Sequence, residues 1–278
     1  MAPVDSLLST DGATAMCCTD YPNSLSDRQW RLIKRYLPEE NYFGRPRSDR
    51  RMIIDGILYW NRTGCQWRYV PRDFGPWQTV YRVFRSWVKD GTWVQMHDKL
   101  REHVRKAEGK KSTPTAAIID SQSVRTAEGG EERGFDGGKK VTGRKRHIAV
   151  DTLGLLLAVV VHAASIQDQD GAKLVLKGIR KRYRRIKVVF GDSAYGRTGL
   201  PSWLYSHCRV VLQTVLRPVN VRGFVILPKR WIVERTFAWM NRHRRTSKDY
   251  EVLPENSEAV LYIAMIELMS KRLTSRDI

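Results

Sequence analysis

Ala116-Ala117-Ile118-Ile119-Asp120 is a short apolar run that ends on a carboxylate, and Val188-Val189-Phe190-Gly191-Asp192 repeats the pattern. Short apolar runs with polar boundaries predict buried strands. A carboxylate at the end of such a strand emerges at the sheet edge, where ligands of open α/β sheets sit. A third acid, Glu234, lies in Trp231-Ile232-Val233-Glu234-Arg235-Thr236-Phe237-Ala238-Trp239, which reads as a helix. Two strand-end aspartates and one helical glutamate are oxygen donors suited to a pair of hard divalent cations, two Mg²⁺ ions with Mn²⁺ able to substitute. Taken singly, each acid is more simply a turn or cap residue. The expectation rests on the three together and on their neighbours.

The pattern around these acids predicts a mixed sheet flanked by helices. Strands are expected at 116–120, 146–151, 155–162, 187–192 and 209–214. The second and third form a hairpin through Thr152-Leu153-Gly154. Helices are expected at 168–183, with Ala172, Leu176 and Ile179 on one side, at 231–243 and at 256–273. This order of elements is that of ribonuclease-H-like nucleases, although fold alone does not give function.

Before the first strand the pattern is helical. Ser26 caps a helix over 27–37 that Pro38 ends, and Asp49 caps a second carrying Ile54, Ile57, Leu58 and Asn61. A third begins near Pro76 with the stripe Trp77, Val80, Tyr81, Phe84, Trp87 and Val88, and Gly91 stops it. Arg82 and Arg85 fall off that stripe. A three-helix unit with a basic face suggests a helix-turn-helix-like reader of DNA; a bundle with a solvated charged side is the blander alternative. The division expected is a loose tail at 1–20, a helical DNA-binding domain at 21–107, a linker at 108–114 and a catalytic α/β domain at 115–278.

Charge points to the same partner. The 278 residues carry 49 Lys and Arg against 29 Asp and Glu, a formal net charge of +20. Such an excess argues for a polyanion, here double-stranded DNA. Among the clusters, Lys139 and Lys140 lead to Arg144, Lys145 and Arg146, which are expected to line the DNA path beside the first aspartate. The four cysteines form no C-x-x-C pair, so no zinc finger or disulfide framework is suggested and a reducing cytoplasm fits. No basic start precedes a long apolar stretch, and Leu155–Val161 is too short to span a bilayer, so no membrane partner is expected.

Longer motifs make the reading specific. Ile119-Asp120-Ser121-Gln122-Ser123-Val124 resembles the first catalytic segment of bacterial insertion-sequence transposases of the branch named after insertion sequence five. Residues 138–154, from Gly138-Lys139-Lys140 through Arg144-Lys145-Arg146-His147 to Asp151-Thr152-Leu153-Gly154, are similar to the segment that follows it in that family. Gly191-Asp192-Ser193-Ala194-Tyr195 resembles its second-aspartate motif, and 230–239 its glutamate helix, with Arg242 and Lys248 trailing. Gly44-Arg45-Pro46 and Gly64-Cys65-Gln66-Trp67-Arg68 resemble its helical domain, so the likeness spans roughly 22–272.

The resemblance implies a DDE transposase with Asp120, Asp192 and Glu234 as its catalytic and metal-binding triad. It implies metal-dependent cleavage at inverted-repeat ends, attack of the freed 3′-hydroxyl on target DNA, and a homodimer in the DNA complex. The broader family places a tyrosine where this chain has Leu227 and a lysine where it has Asn241; Arg230 keeps the third family position. Arg242 and Lys248 are therefore candidates to grip the terminal phosphate, and Arg230 is a further DNA-binding candidate. Two alternatives remain open: a DNA-binding regulator whose acids are structural, and a nuclease that does not join strands.

Overall fold

The computed structural model describes residues 21–39, 48–127, 130–197, 199–215 and 229–275. The tail at 1–20, Gly44-Arg45-Pro46 and Leu227 lie outside them. Helix α1 (Asp27–Ile33) starts at the expected N-cap, which forms a capping box, Ser26 accepting from the Gln29 amide while Gln29 accepts from the Ser26 amide, and it ends short of the expected 37 in a 3-10 turn over 34–36. Asp49 caps α2 (Arg50–Thr63) through the Arg51 amide at 2.7 Å, and Gly64 ends it with φ 73°. Helix α3 (Trp77–Lys89) follows as expected. A further helix beyond the three expected, α4 (Thr92–Ala107), buries Trp93, Met96, Leu100 and Val104 at helical spacing.

Beyond it come β1 (Ala116–Arg125), β2 (Gly134–Asp136), β3 (Val141–Val150) and β4 (Leu156–Ala163). Then follow α5 (Asp168–Arg182), β5 (Val188–Gly191), α6 (Ser193–Gly196), α7 (Leu200–Cys208) and β6 (Val211–Thr214). Helices α8 (Arg230–Met240) and α9 (Pro254–Thr274) complete the described elements. The patterns for α7 and β2 were not part of the sequence expectation. The sheet runs β3-β1-β5-β6, with β2 and β4 both paired to β3. The β1–β3, β2–β3 and β3–β4 pairs are antiparallel; β1–β5 and β5–β6 are parallel.

Strand alternation gives the sheet two buried faces. Ile118 and Ile148 face the cluster that holds Ile232, Val233, Ile263 and Ile266 of α8 and α9. Ala117, Ile119 and Ala149 face the other, with Ala172, Val175 and Ile179 of α5 and Leu200 and Leu204 of α7. Helix α9 is buried on several sides, because it packs against β4 and against α1, α2, α3 and α4. Ile57, Trp60, Phe84 and Trp93 consequently share one cluster with the sheet. The turn from helices to strands at 108–114 thus runs over the surface between two parts of one continuous core. It is tied there by Arg101 to the Ser112 carbonyl and by Arg105 to the Lys111 carbonyl and to Asp151.

Candidate active site

The parallel register pairs Ala116 with Val188, Ala117 with Val189 and Ile118 with Phe190. Continued by two residues, it sets Asp192, just past β5, level with Asp120, which lies within β1 beyond its last pair with β5 and not at the strand's end as expected; neighbouring strands lie about 4.8 Å apart. Asp120 is half-buried, and its Oδ1 accepts from the Ser121 amide at 2.8 Å. Burial pushes its carboxyl up to about 6; Asp192 adds to the shift, while the Ser121 amide, Arg230 and Lys139 oppose it. Asp192 caps α6 by accepting from the Ala194 amide at 3.0 Å. Asp120, Asp192 and Arg230 line one small cleft, with Ile118, Ile119, Phe190, Gly191 and Val215 as its walls.

Glu234 stands at the margin. It lies one turn after Arg230 on α8, its side chain 51% exposed, and Arg230 Nε sits 3.4 Å from its Oε1. Among the described residues no three His, Cys, Asp or Glu side chains gather as a metal centre. The fold therefore joins two of the three expected acids directly and brings the third to their rim, held by the arginine that shares their cleft. The two aspartates fit a hard divalent cation: both are oxygen donors, they adjoin each other, and one is held high by poor hydration.

Two more cations border the cleft. Lys139 Nζ donates to the Ser121 carbonyl at 3.2 Å. Its turn is fixed by Asp136, which accepts from the Gly138 and Lys139 amides at 3.0 and 3.1 Å. Lys140 follows, exposed, with φ 52°. Lys229, not singled out in the sequence, precedes α8 with φ 68° and holds its Nζ 3.6 Å from the Phe190 ring centre. Its only sequence signal is its place beside Arg230.

The rest of the basic run is a correction. Arg144, Lys145 and Arg146 are not a DNA-lining loop; they lie in β3 at 0, 4 and 2% exposure. The Arg144 guanidinium donates to the Glu131, Glu251 and Val252 carbonyls and lies 3.4 Å from Asp249. Arg146 donates to the Thr246 and Lys248 carbonyls. Lys145 bonds the Ile166 carbonyl and sits 3.0 Å from Asp168. A buried cation needs such partners, and none is left to reach phosphate. Arg85 is corrected likewise, because it turns inward to Asn256 and Glu255 of α9. Arg82, Arg242 and Lys248 are exposed.

With this geometry established, the likeness to known proteins is decisive. The family model described as "Transposase DDE domain" matches residues 111–268. The chain belongs to the DDE transposases. A second model, "Putative transposase of IS4/5 family", matches residues 25–97 and places this transposase in the IS4/5 branch. A relative named "Insertion element IS402 uncharacterized 16.2 kDa protein", from Burkholderia cepacia, is 31% identical over 117 residues. That match covers 40% of this chain and 78% of the relative. The "Putative transposase for insertion sequence element IS402" of the same species is 28% identical over 121 residues, 39% of this chain and 54% of the relative. This transposase thus spans about half of that longer relative. DDE domains use divalent metal ions, and the family's partner is DNA. No described helix is long and apolar enough to cross a membrane.

Proposed function

We propose that this transposase binds the inverted-repeat ends of its own insertion sequence, cleaves them with two Mg²⁺ ions and joins the freed 3′-hydroxyl to target DNA. It does so in the cytoplasm as a homodimer on DNA. The observation that carries the reading is the parallel register that brings Asp120 and Asp192 level beside Arg230. When bound, a divalent pair activates the attacking oxygen and stabilises the leaving one. Asp120 and Asp192 are the fixed donors and Glu234 the movable one. Opening of the Arg230–Glu234 pair leaves the guanidinium facing the cleft, where it suits a phosphodiester oxygen. Lys139 and Lys140 grip the flanking backbone, contacts that position DNA without reading bases. The helical region 21–107 supplies recognition of the ends, with Arg82 on its exposed side. Arg242 and Lys248 extend the phosphate track beyond α8.

The test is a joining assay. Labelled DNA carrying the element's ends, mixed with a supercoiled target and Mg²⁺, should yield covalent end–target product. Cleavage without joining would mean a nuclease, and end binding without cleavage a regulator.

A further inference from the structure

Behind the two aspartates, on the face of the sheet that meets α5, lies a buried chain of polar rings that the cleavage chemistry does not use. His147 of β3, His162 of β4 and Tyr195 of α6 are 1, 3 and 2% exposed. His162 Nδ1 lies 2.9 Å from the Ala163 carbonyl. His162 Nε2 lies 2.9 Å from His147 Nδ1, and His147 Nε2 lies 3.2 Å from the Tyr195 hydroxyl.

These contacts assign the protons of both rings. Burial lowers His147 to about 3 and also lowers His162, so both rings are neutral. A carbonyl only accepts, so His162 carries its proton on Nδ1 and leaves Nε2 as acceptor. His147 then donates from Nδ1, and its Nε2 accepts from Tyr195. Burial first, then Asp120, Asp168 and Asp192, raises Tyr195 well above its ordinary value, against a hydrogen bond with Ser121 that lowers it, so the hydroxyl keeps its proton beside His147 Nε2. The two rings thus have one arrangement, and the Tyr195 hydroxyl joins them to Ser121 of β1.

Its Tyr195 end and its middle ring are anchored beside the carboxylates. Tyr195 sits in the helix that Asp192 caps. The ring of Tyr195 and the side chain of Ile119 crowd Gly191 so closely that an added Cβ would meet them at 2.9 and 3.3 Å. Ile119 and Gly191 are the residues immediately before Asp120 and Asp192. His147 pairs across the strands with Ser121, the residue after Asp120. The Ser121 hydroxyl in turn donates to Asp168 at 2.9 Å. Helix α5 seals the assembly at Gly171, where a Cβ would meet the His147 and His162 rings at 2.4 and 2.5 Å.

We propose that the Tyr195–His147–His162 chain is a positioning device that holds β1 and α6 in register and thereby sets the separation of Asp120 and Asp192 for divalent-metal binding. Tyr195 touches no metal or DNA; it acts through the backbone on which the two ligands sit. This rests on the assignment of the aspartates as metal ligands. A loosened pair should bind metal more weakly while the DNA contacts stay as they are.

The experiment is Mn²⁺ titration of the full-length protein by electron paramagnetic resonance, beside the Mn²⁺ dependence of end cleavage. Tyr195→Phe keeps the ring and loses only the hydroxyl. It should raise the Mn²⁺ dissociation constant about 10-fold, the low end for outer-shell partners of metal ligands, with end-DNA affinity unchanged. His162→Gln, which can still accept from His147, should retain most of the affinity that His162→Leu loses. His243→Gln disturbs another buried pair, His243 with Glu267 at 2.9 Å, and should leave Mn²⁺ affinity as in the wild type. Wild-type Mn²⁺ binding by both Tyr195→Phe and His162→Leu would overturn the proposal. So would an equal loss in His243→Gln, which would reveal general destabilisation. Undiminished Mn²⁺ binding by Asp120→Asn would instead overturn the ligand assignment itself, and the proposal with it.

Discussion

The interior of β3 and the cleft where β5 stops beside β1 treat charge in opposite ways. Arg144, inside, has its guanidinium matched by three carbonyls, a serine hydroxyl and Asp249. Asp120, at that cleft, accepts one backbone amide and shares the space with a second carboxylate and a single arginine. Both belong to the segments that most resemble the transposase family. What separates them is satisfaction: a charge whose partners all lie within the fold is structural, and a charge left short of partners beside a cleft is poised for something that arrives. Most of the predictions below follow from that contrast.

The largest effect should come from the interior. Arg144→Met leaves Asp249 buried without its guanidinium and three carbonyls without their donor. Breaking a buried ion pair in this way costs about 3–5 kcal/mol, which for a chain of this size lowers the melting temperature by roughly 10 °C. Calorimetry measures it, and a shift of a degree or two would mean that Arg144 is surface-like after all.

The cleft should behave in the reverse sense. The Asp120 carboxyl, near 6 when folded, lies above the unfolded range near 4, so the native state binds the proton more tightly. Its contribution is fully present at low pH and is lost as pH rises from about 4 to about 6. Asp120→Asn should therefore stabilise the metal-free protein by on the order of 1–3 kcal/mol at pH 7 and by nothing at pH 4. Added Mn²⁺ should erase the advantage by stabilising only the wild type. Urea denaturation at the two pH values, with and without Mn²⁺, would disprove this if the variant were the less stable at pH 7 without metal.

How much of this the sequence discloses follows the same contrast. Ser26, Asp49 and Gly64 declare their helix ends because capping is local chemistry. The runs before Asp120 and Asp192 declare strands, and the parallel register then brings the acids level. Arg144 and Arg146 look in sequence like any basic loop, because their partners, Glu131 and residues 246–252, are brought to them only by tertiary packing. Helix α4 is hidden among charges although Trp93, Met96, Leu100 and Val104 carry its period. The boundary drawn at 108–114 marks a real change of secondary structure, but α9, distant in the chain, fills the helical core from the other side of it. The paired state of Glu234 has no signal beyond the (i, i+4) spacing of Arg230.

The smallest effect separates neighbours in one motif. Lys139→Gln with Lys140→Gln should weaken binding to end and random DNA alike and reduce the slope of log affinity against log salt by roughly one per lost contact. Lys145→Gln, a few residues on, should lower stability and leave the slope unchanged. Equal slopes for all three proteins would remove the turn from the DNA interface.

The most direct measurement is Mg²⁺-dependent cleavage of DNA carrying the element's ends by Asp120→Asn, Asp192→Asn, Glu234→Gln and their pairwise combinations, with end binding followed in parallel. Each single variant should bind ends as the wild type does and lose at least about 1000-fold in cleavage, and the doubles should lose little more, because the three acids act as a unit. A double variant that still cleaves at a measurable rate would contradict the assignment of these three residues as the catalytic centre.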